Sequence, residues 1–214
     1  MKTISNKEIN LEKIRNIVFD YGGVIVDLDR DKVAAQLYDL GIKNIEEVLS
    51  SYHQKGVFDL LERGVISSEQ FRDEIRYLSG TVATNEHIDN IWKSFLVGID
   101  RKKLEIICRL KQTHNVYLLS NTNPIHWEYS CNELLVCDDA RVDDMFTHTY
   151  RSYMIGLAKP DIKVYEYMVS HSGMVPSETL FIDDSMLNCE VAEKLGINSF
   201  YTKDGKDWLK LFEE

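Results

Sequence analysis

The segment Ile17-Val18-Phe19-Asp20-Tyr21-Gly22-Gly23-Val24-Ile25 decides the fold predicted for this chain. Apolar side chains run into a carboxylate that is followed by two glycines, which is typical of a buried strand ending at a tight turn. Ligands of open α/β sheets bind at the carboxyl ends of the strands. Asp20 is therefore either a ligand-facing carboxylate or the first residue of a glycine turn, and this segment alone leaves both interpretations open.

The rest of the chain alternates short apolar runs with helical patterns. Besides residues 14–20, strands are predicted at 116–120 and 179–183, with weaker candidates at 145–150 and 198–201. Helices are predicted at 101–112, 125–135, 161–172 and 186–195. Short strands and helices that alternate in this way form a parallel sheet with helices on both faces. The predicted fold is α/β, with a Rossmann-like three-layer α/β/α core.

One stretch interrupts the alternation, because residues 30–99 show helical periodicity and no convincing strand. Ser67 or Ser68 can cap a helix that carries Phe71 and Ile75, with Gln70 near the capping-box position. A helical block after the first strand predicts an inserted all-helical cap domain. We therefore divide the chain into a core of residues 1–28 and 100–214 and a cap of residues 29–99.

Composition limits the classes of protein that this chain can represent. It has 214 residues, of which 44% are hydrophobic and 28% charged, as in a globular protein of one or two domains. The net charge of −10 argues against nucleic acid as a partner. No apolar run reaches the ~20 residues of a membrane helix, and the first residues lack a signal-peptide core. Four scattered cysteines suggest a reducing compartment, so we expect a cytoplasmic protein.

Two polar motifs follow predicted strands and suit an anionic ligand. Ser120 and Asn121 offer a hydroxyl and an amide that can donate to phosphoryl oxygens, although capping of the next helix explains the same residue types. Lys159 precedes Pro160 at a predicted helix start, where it could neutralise a carboxylate and a phosphoryl group. Most lysines in such positions are simply solvated.

A fourth motif places two carboxylates side by side. Asp183 and Asp184 end the predicted strand 179–183 and repel each other unless a cation or protons compensate. Mg²⁺ is the hard divalent ion that such oxygen ligands favour, and the alternative is a paired cap for the helix that begins near Met186. We prefer the metal interpretation.

Together and in this order, the four motifs resemble those of the haloacid dehalogenase (HAD) superfamily of aspartate-nucleophile hydrolases. The resemblance covers about residues 14–201. The wording of the first motif, with Glu62-Arg63-Gly64 and Gly156-Leu157-Ala158-Lys159-Pro160-Asp161, looks closest to bacterial sugar-phosphatase-like members, including the α-D-glucose-1-phosphate phosphatase branch. The helical insertion resembles the family's small cap.

The resemblance implies a role for each motif. Asp20 would attack phosphorus and form an aspartyl-phosphate, with Lys159 offsetting charge and Ser120 and Asn121 holding phosphoryl oxygens. Mg²⁺ would lie between Asp20, the Gly22 carbonyl and Asp184, with Asp183 acting through water or through another ligand. The implied partner is a small phosphorylated metabolite, and the chain would be a monomer or a homodimer.

One position departs from the family pattern. Phosphatases of this superfamily usually carry a second aspartate, the general acid and base, two positions after the nucleophile, where this chain has Gly22. We therefore expect a sugar phosphate with a good leaving group, unless Asp27 or Asp29 substitutes for the missing acid. The alternatives are a dehalogenase and a weakly active or non-catalytic binding module. His53, Gln54, Lys55 and Phe58 are candidates for a specificity loop in the cap, with packing in the cap core as the alternative for Phe58.

Overall fold

A five-stranded parallel sheet forms the centre of the protein. The structure, a computed structural model, describes residues 9–43 and 56–213. The strands lie in the order β5-β4-β1-β6-β7. Their bounds are β1 Asn16–Phe19, β4 Asn115–Ser120, β5 His148–Arg151, β6 Thr179–Asp183 and β7 Asn198–Tyr201. The predicted α/β fold class is confirmed.

The central position of β1 follows from its composition. Its four residues are all buried, and it pairs in parallel with β4 on one side and β6 on the other. Ile17 and Phe19 pack into one apolar cluster and Val18 into the cluster on the opposite face, as the two-residue period of a strand requires. The chain fills one side of β1 and then the other, so the carboxyl ends of β4, β1 and β6 meet at a topological switch point.

Helices cover both faces of the sheet and build the cap. Those of the cap are α1 Arg30–Leu40, α2 Val57–Glu62, α3 Ser68–Ser79 and α4 Asn85–Lys93; those of the core are α5 Arg101–Leu110, α6 Pro124–Tyr129, α7 Val142–Met145, α8 Ser152–Ile155, α9 Ile162–Ser172 and α10 Met186–Lys194. Short 3₁₀ segments occupy Leu11–Lys13, Pro176–Glu178 and Asp207–Leu211, and a π-helical turn follows α6 at Ser130–Leu134. Among the described helices, none has the length and apolarity needed to cross a bilayer.

The cap has its own aromatic core. The Phe58 ring lies 5.4 Å from the Phe71 ring and 4.6 Å from the Trp92 ring, and all three side chains are buried. Ser67 is the N-cap of α3 and shares a full capping box with Gln70, as the sequence predicts. The helical nature of the described part of the cap therefore follows from local signals that were readable in the sequence.

The prediction that residues 30–99 contain no strand is wrong at their end. β3 (Leu96–Ile99) pairs antiparallel with β2 (Val26–Leu28), so a two-stranded connector joins cap and core. Four residues with an exposed Val97 and a glycine at position 98 give too little alternation to be recognised as a strand. The domain bounds at 28/29 and 99/100 stay a prediction, and they fall at the edges of this connector.

A buried lysine holds the connector against the core. The Lys103 side chain is completely inaccessible, and its Nζ donates to the Ile25 carbonyl at 3.1 Å and to Asp27 Oδ1 at 3.2 Å. A buried ammonium group needs such acceptors, because an unpaired charge in the interior is strongly destabilising. Lys103 thus fixes the turn that follows strand β1.

We expect Lys103→Met to lower the free energy of unfolding by about 1–3 kcal/mol, because the Ile25 carbonyl and Asp27 lose their buried donor. Lys102→Met is the matched control, since the neighbouring Lys102 pairs with Glu213 at the exposed surface. Urea denaturation of both variants measures the difference. Equal stabilities of the two variants would contradict a structural role for Lys103.

Candidate active site

A cavity of about 340 Å³ opens where β1, β4 and β6 end. The core contributes Asp20, Ser120, Asn121, Lys159 and Asp184 to its lining, and the cap contributes Arg30, Asp59, Glu62 and Arg63. The cavity therefore brings the four sequence motifs to one place, with charged cap residues opposite them.

Asp20 lies directly after β1 and is almost fully buried. Its Oδ1 forms an ion pair with Lys159 Nζ at 2.7 Å and accepts a hydrogen bond from the Tyr21 backbone N–H at 2.7 Å. Among the described residues, no donor reaches Oδ2. One carboxylate oxygen is thus oriented by two donors, and the other is left for a ligand.

Lys159 joins the first and last motifs. Its Nζ lies 2.7 Å from Asp20 Oδ1 and 2.7 Å from Asp183 Oδ2. Asp183 is fully buried, and its Oδ1 also accepts from the Ser185 N–H at 2.8 Å and from Asn188 Nδ2 at 2.9 Å. With both oxygens engaged, Asp183 is a structural acceptor that orients the ammonium group.

Asp184 owes its position to a glycine. A Cβ on Gly23 would lie 2.1 Å from Asp184 Oδ2, and Gly23 adopts a φ of +75° that also favours glycine. By contrast, a Cβ on Gly22 would meet only the end of the Leu28 side chain, at 3.2 Å. The second glycine of the motif therefore provides the close approach, and the first has room for a side chain if Leu28 shifts.

The Ser120-Asn121 motif divides into two tasks. Asn121 Oδ1 accepts from the Lys159 N–H and Asn121 Nδ2 donates to the Lys159 carbonyl, both at 2.9 Å, so this amide clamps the lysine backbone. One hydrogen of Nδ2 remains for a ligand. The Ser120 hydroxyl makes no hydrogen bond to any described residue. Helix capping, the alternative interpretation, belongs to Asn123, whose side chain accepts from the His126 N–H.

Burial sets the electrostatics of the site. Desolvation raises the pKa of Asp20 to about 8; Lys159 opposes this rise, and the charges of Asp183 and Asp184 add to it. Desolvation and Asp183 raise the pKa of Asp184 to about 6. Burial disfavours the charge of Lys159, but Asp183 and Asp20 outweigh that effect and raise its pKa. The single ammonium group of Lys159 therefore does not neutralise the three carboxylates.

A divalent cation would supply the missing positive charge. One oxygen from each of Asp20, Asp183 and Asp184 lies within 4.8 Å of the others. Three ionised carboxylates and one ammonium sum to −2, the charge that Mg²⁺ cancels. Carboxylate oxygens are also the ligands that this ion prefers.

Both acids suggested as substitutes for the residue missing at position 22 have other partners in this structure. Asp27 pairs with Lys103, and Asp29 is the N-cap of α1, accepting from the Lys32 N–H at 2.9 Å. The suggested specificity residues His53, Gln54 and Lys55 lie outside the described residues. Within the described part of the chain, Asp59 and Glu62 are the cap carboxylates that line the cavity.

Sequence reasoning missed His126, which connects core and cap at the edge of the cavity. Asn123 Nδ2 donates to His126 Nδ1 at 3.1 Å, so Nε2 carries the proton and donates to the Trp92 carbonyl at 2.9 Å. The imidazole also stacks on the Trp92 ring, with centroids 4.7 Å apart. Burial lowers the pKa of His126 to about 4, against the effect of its bond to Trp92. No local pattern of residues indicates this contact.

The fold and this constellation define a hydrolase with an aspartate at its centre, and comparison with known proteins agrees. The sequence profile of the haloacid dehalogenase-like hydrolases matches residues 14–196, and the chain belongs to this family. D-ribitol-5-phosphate phosphatase from Bacteroides thetaiotaomicron is 38% identical over 195 residues, covering 91% of this chain and 95% of the relative.

Two solved structures are also similar. A HAD family enzyme from B. thetaiotaomicron, an aspartate-to-alanine variant in complex with magnesium and inorganic phosphate, is 39% identical with a TM-score of 0.90, covering 94% of this chain and all of that one. A HAD-like family hydrolase from Porphyromonas gingivalis is 35% identical with a TM-score of 0.86, covering 93% of this chain and 96% of that one.

The pKa of His126 predicts a pH-dependent stability. A histidine whose pKa falls from 6.5 to about 4 on folding stabilises the protein above pH 6.5, and this contribution is lost as the pH falls towards 4. It amounts to ~3 kcal/mol at most. We expect the wild-type protein to lose more stability than His126→Gln between pH 7 and pH 4.5 in urea titrations.

The control for this comparison is His87→Gln, because His87 is exposed on α4. It should follow the wild-type pH profile. If His126→Gln follows that profile as well, the imidazole does not have the buried, neutral role that the structure gives it.

Proposed function

We propose that this protein is a Mg²⁺-dependent phosphatase that hydrolyses a small phosphorylated metabolite through an aspartyl-phosphate on Asp20. The observation that carries the proposal is the position of Lys159 Nζ, 2.7 Å from both Asp20 and Asp183 at the mouth of the sheet. A phosphate dianion meets strong repulsion from a bare carboxylate, and this ammonium group reduces that repulsion.

Each residue of the site has a part in the proposed reaction. Lys159 and the Tyr21 N–H hold Asp20 Oδ1, so that Oδ2 can attack phosphorus. The bond between phosphorus and the ester oxygen breaks, and the leaving group departs with that electron pair. Ser120 and the remaining Asn121 N–H donate to the phosphoryl oxygens. Water then attacks the aspartyl-phosphate, releasing inorganic phosphate and restoring the carboxylate.

Magnesium has a natural place in this arrangement. Asp20, Asp184 and the Gly22 carbonyl would hold the ion, and Asp183, whose oxygens already accept three donors, would support them indirectly. The ion supplies charge neutralisation and Lewis-acid polarisation of the phosphoryl group. The magnesium and phosphate bound by the B. thetaiotaomicron enzyme support this assignment.

Dehalogenation, the alternative on the same fold, is less supported. The acidic pair is intact beside the nucleophile, and the 38%-identical relative is a phosphatase. That relative also supports a polyol or sugar phosphate as the substrate. Ribitol 5-phosphate is a primary alkyl ester with a poor leaving group, whereas Gly22 predicts a good one, so both kinds of ester belong in the test.

We expect phosphate release that requires Mg²⁺, is blocked by EDTA and falls at least ~10³-fold in Asp20→Asn, because this variant keeps the shape of Asp20 without its nucleophilic carboxylate. The substrates to compare are ribitol 5-phosphate, glucose 1-phosphate, glucose 6-phosphate, acetyl phosphate and p-nitrophenyl phosphate. Release that persists in Asp20→Asn would overturn the proposed nucleophile. No release from any ester would favour a binding module.

Gly22→Asp is expected to accelerate hydrolysis of the alkyl esters more than that of acetyl phosphate. A positioned acid is worth ~10²–10⁴-fold where the leaving group needs a proton. Among the described residues, the atoms nearest to a Cβ at position 22 belong to the flexible Leu28 side chain, at 3.2 Å. Gly22→Asn is the matched control, with the same size and no acidic proton. Equal rates for the Asp and Asn variants would contradict proton transfer as the limitation.

A further inference from the structure

A buried serine connects the phosphate-binding side of the cavity to the cap. Ser152, the first residue of α8, is 1% exposed. The Thr122 N–H donates to Ser152 Oγ at 3.0 Å, and Ser152 Oγ–H donates to the Glu62 carbonyl at 2.6 Å. The hydroxyl has one proton, and the Thr122 carbonyl at 3.0 Å is the more distant acceptor. The result is a hydrogen-bond chain from the loop after β4 to the end of α2.

A glycine two residues after Glu62 supports this contact independently. Gly64 adopts a φ of +67°, and a Cβ there would lie 2.2 Å from the Tyr153 carbonyl oxygen. The cap turn at residues 62–64 thus approaches the core segment 152–153 as closely as backbone allows. One hydrogen bond joins this pair of segments, and the absence of a side chain at Gly64 permits their close approach.

The segment held in this way carries the polar cap surface of the cavity. Asp59, Glu62 and Arg63 line it, and Arg63 Nε lies 2.8 Å from Asp59 Oδ1. α2 has only six residues, too few to keep a position without tertiary contacts. Its placement over the cavity therefore depends on contacts such as those at Ser152 and Gly64.

The phosphoryl contacts of Asn121 and Lys159 do not depend on them. Asn121 is fixed to the Lys159 backbone by two hydrogen bonds of 2.9 Å, and Lys159 is fixed by Asp20 and Asp183. Loss of the serine hydroxyl would remove the acceptor of the Thr122 N–H and release the cap turn, but it would leave the contacts of Asn121 and Lys159 intact.

We propose that Ser152 is a positioning residue that, with the close approach at Gly64, sets the cap surface of residues 59–63 against the part of the substrate beyond its phosphoryl group. This rests on the proposed phosphatase function. A substrate long enough to reach the cap depends on the contact, and a substrate that is little more than a phosphoryl group does not.

The test compares ribitol 5-phosphate with acetyl phosphate as substrates of two variants, each of which has its own control variant. Ser152→Ala should raise KM for ribitol 5-phosphate by about three- to tenfold, the effect of one hydrogen bond. Gly64→Ala should raise it by at least as much, because a Cβ cannot fit 2.2 Å from the Tyr153 carbonyl oxygen and the cap turn must move away. Values of kcat/KM for acetyl phosphate and inhibition by inorganic phosphate should change less than twofold. A uniform loss on both esters would mean that Ser152 is only structural and would overturn the proposal.

Each variant has a matched control. Gly80 has the same φ of +67°, and a Cβ there would meet no described residue within 4 Å, so Gly80→Ala carries the backbone cost without the clash. The Ser172 hydroxyl donates to the Met168 carbonyl at the C-terminal end of α9, ~16 Å from the N-terminal end of that helix. Ser172→Ala is therefore the control for the loss of a serine hydroxyl elsewhere in the core. Neither control should change KM for ribitol 5-phosphate.

Hydrogen exchange separates failure of this proposal from failure of the proposed function. Ser152→Ala and Gly64→Ala should both speed amide exchange in residues 57–66 but not in α3, whether or not the protein hydrolyses an ester. If the wild-type protein hydrolyses none of the esters, the phosphatase function fails and this measurement alone decides the role of Ser152. Unchanged exchange in residues 57–66 of both variants would overturn the proposal.

Discussion

The site is organised around the ammonium group of Lys159, which lies 2.7 Å from an oxygen of Asp20 and 2.7 Å from an oxygen of Asp183. Three carboxylates meet where β1 and β6 end, and burial makes their mutual repulsion costly. The pairing of β1 with β6 brings these carboxylates together, and it is stable only if positive charge lies between them. The Asn121 clamp on the lysine backbone, and therefore the position of the loop after β4, serves the same requirement.

The core of this structure could be predicted from the sequence because its signals are local. Strand β6 ends in Asp183 where the apolar run ends, and Ser67 with Gln70 marks the start of α3 by a spacing of three residues. The predicted strand 145–150 begins three residues before β5, because Met145 and Phe146 continue the apolar pattern while residues 142–145 form a helical turn. Short segments of this kind do not distinguish the two conformations.

The contacts that join cap and core could not be predicted. His126 bonds to the carbonyl of Trp92, 34 residues earlier, and Ser152 to that of Glu62, 90 residues earlier. Every residue has a backbone carbonyl, so the type of the accepting residue does not indicate that such a bond forms. Lys103 is similar: in sequence it is one of three consecutive basic residues on α5, and only the fold shows that it is buried.

The two-stranded connector has a consequence for the architecture as a whole. Because β2 and β3 are hydrogen-bonded neighbours, the chain leaves the core and returns to it at points about 5 Å apart, the spacing of paired strands. An insert of almost any length and fold can begin and end at such closely spaced points without stretching the sheet. The strand ends of the core supply the reacting groups, and the inserted domain can therefore be replaced as a unit without a change in the core.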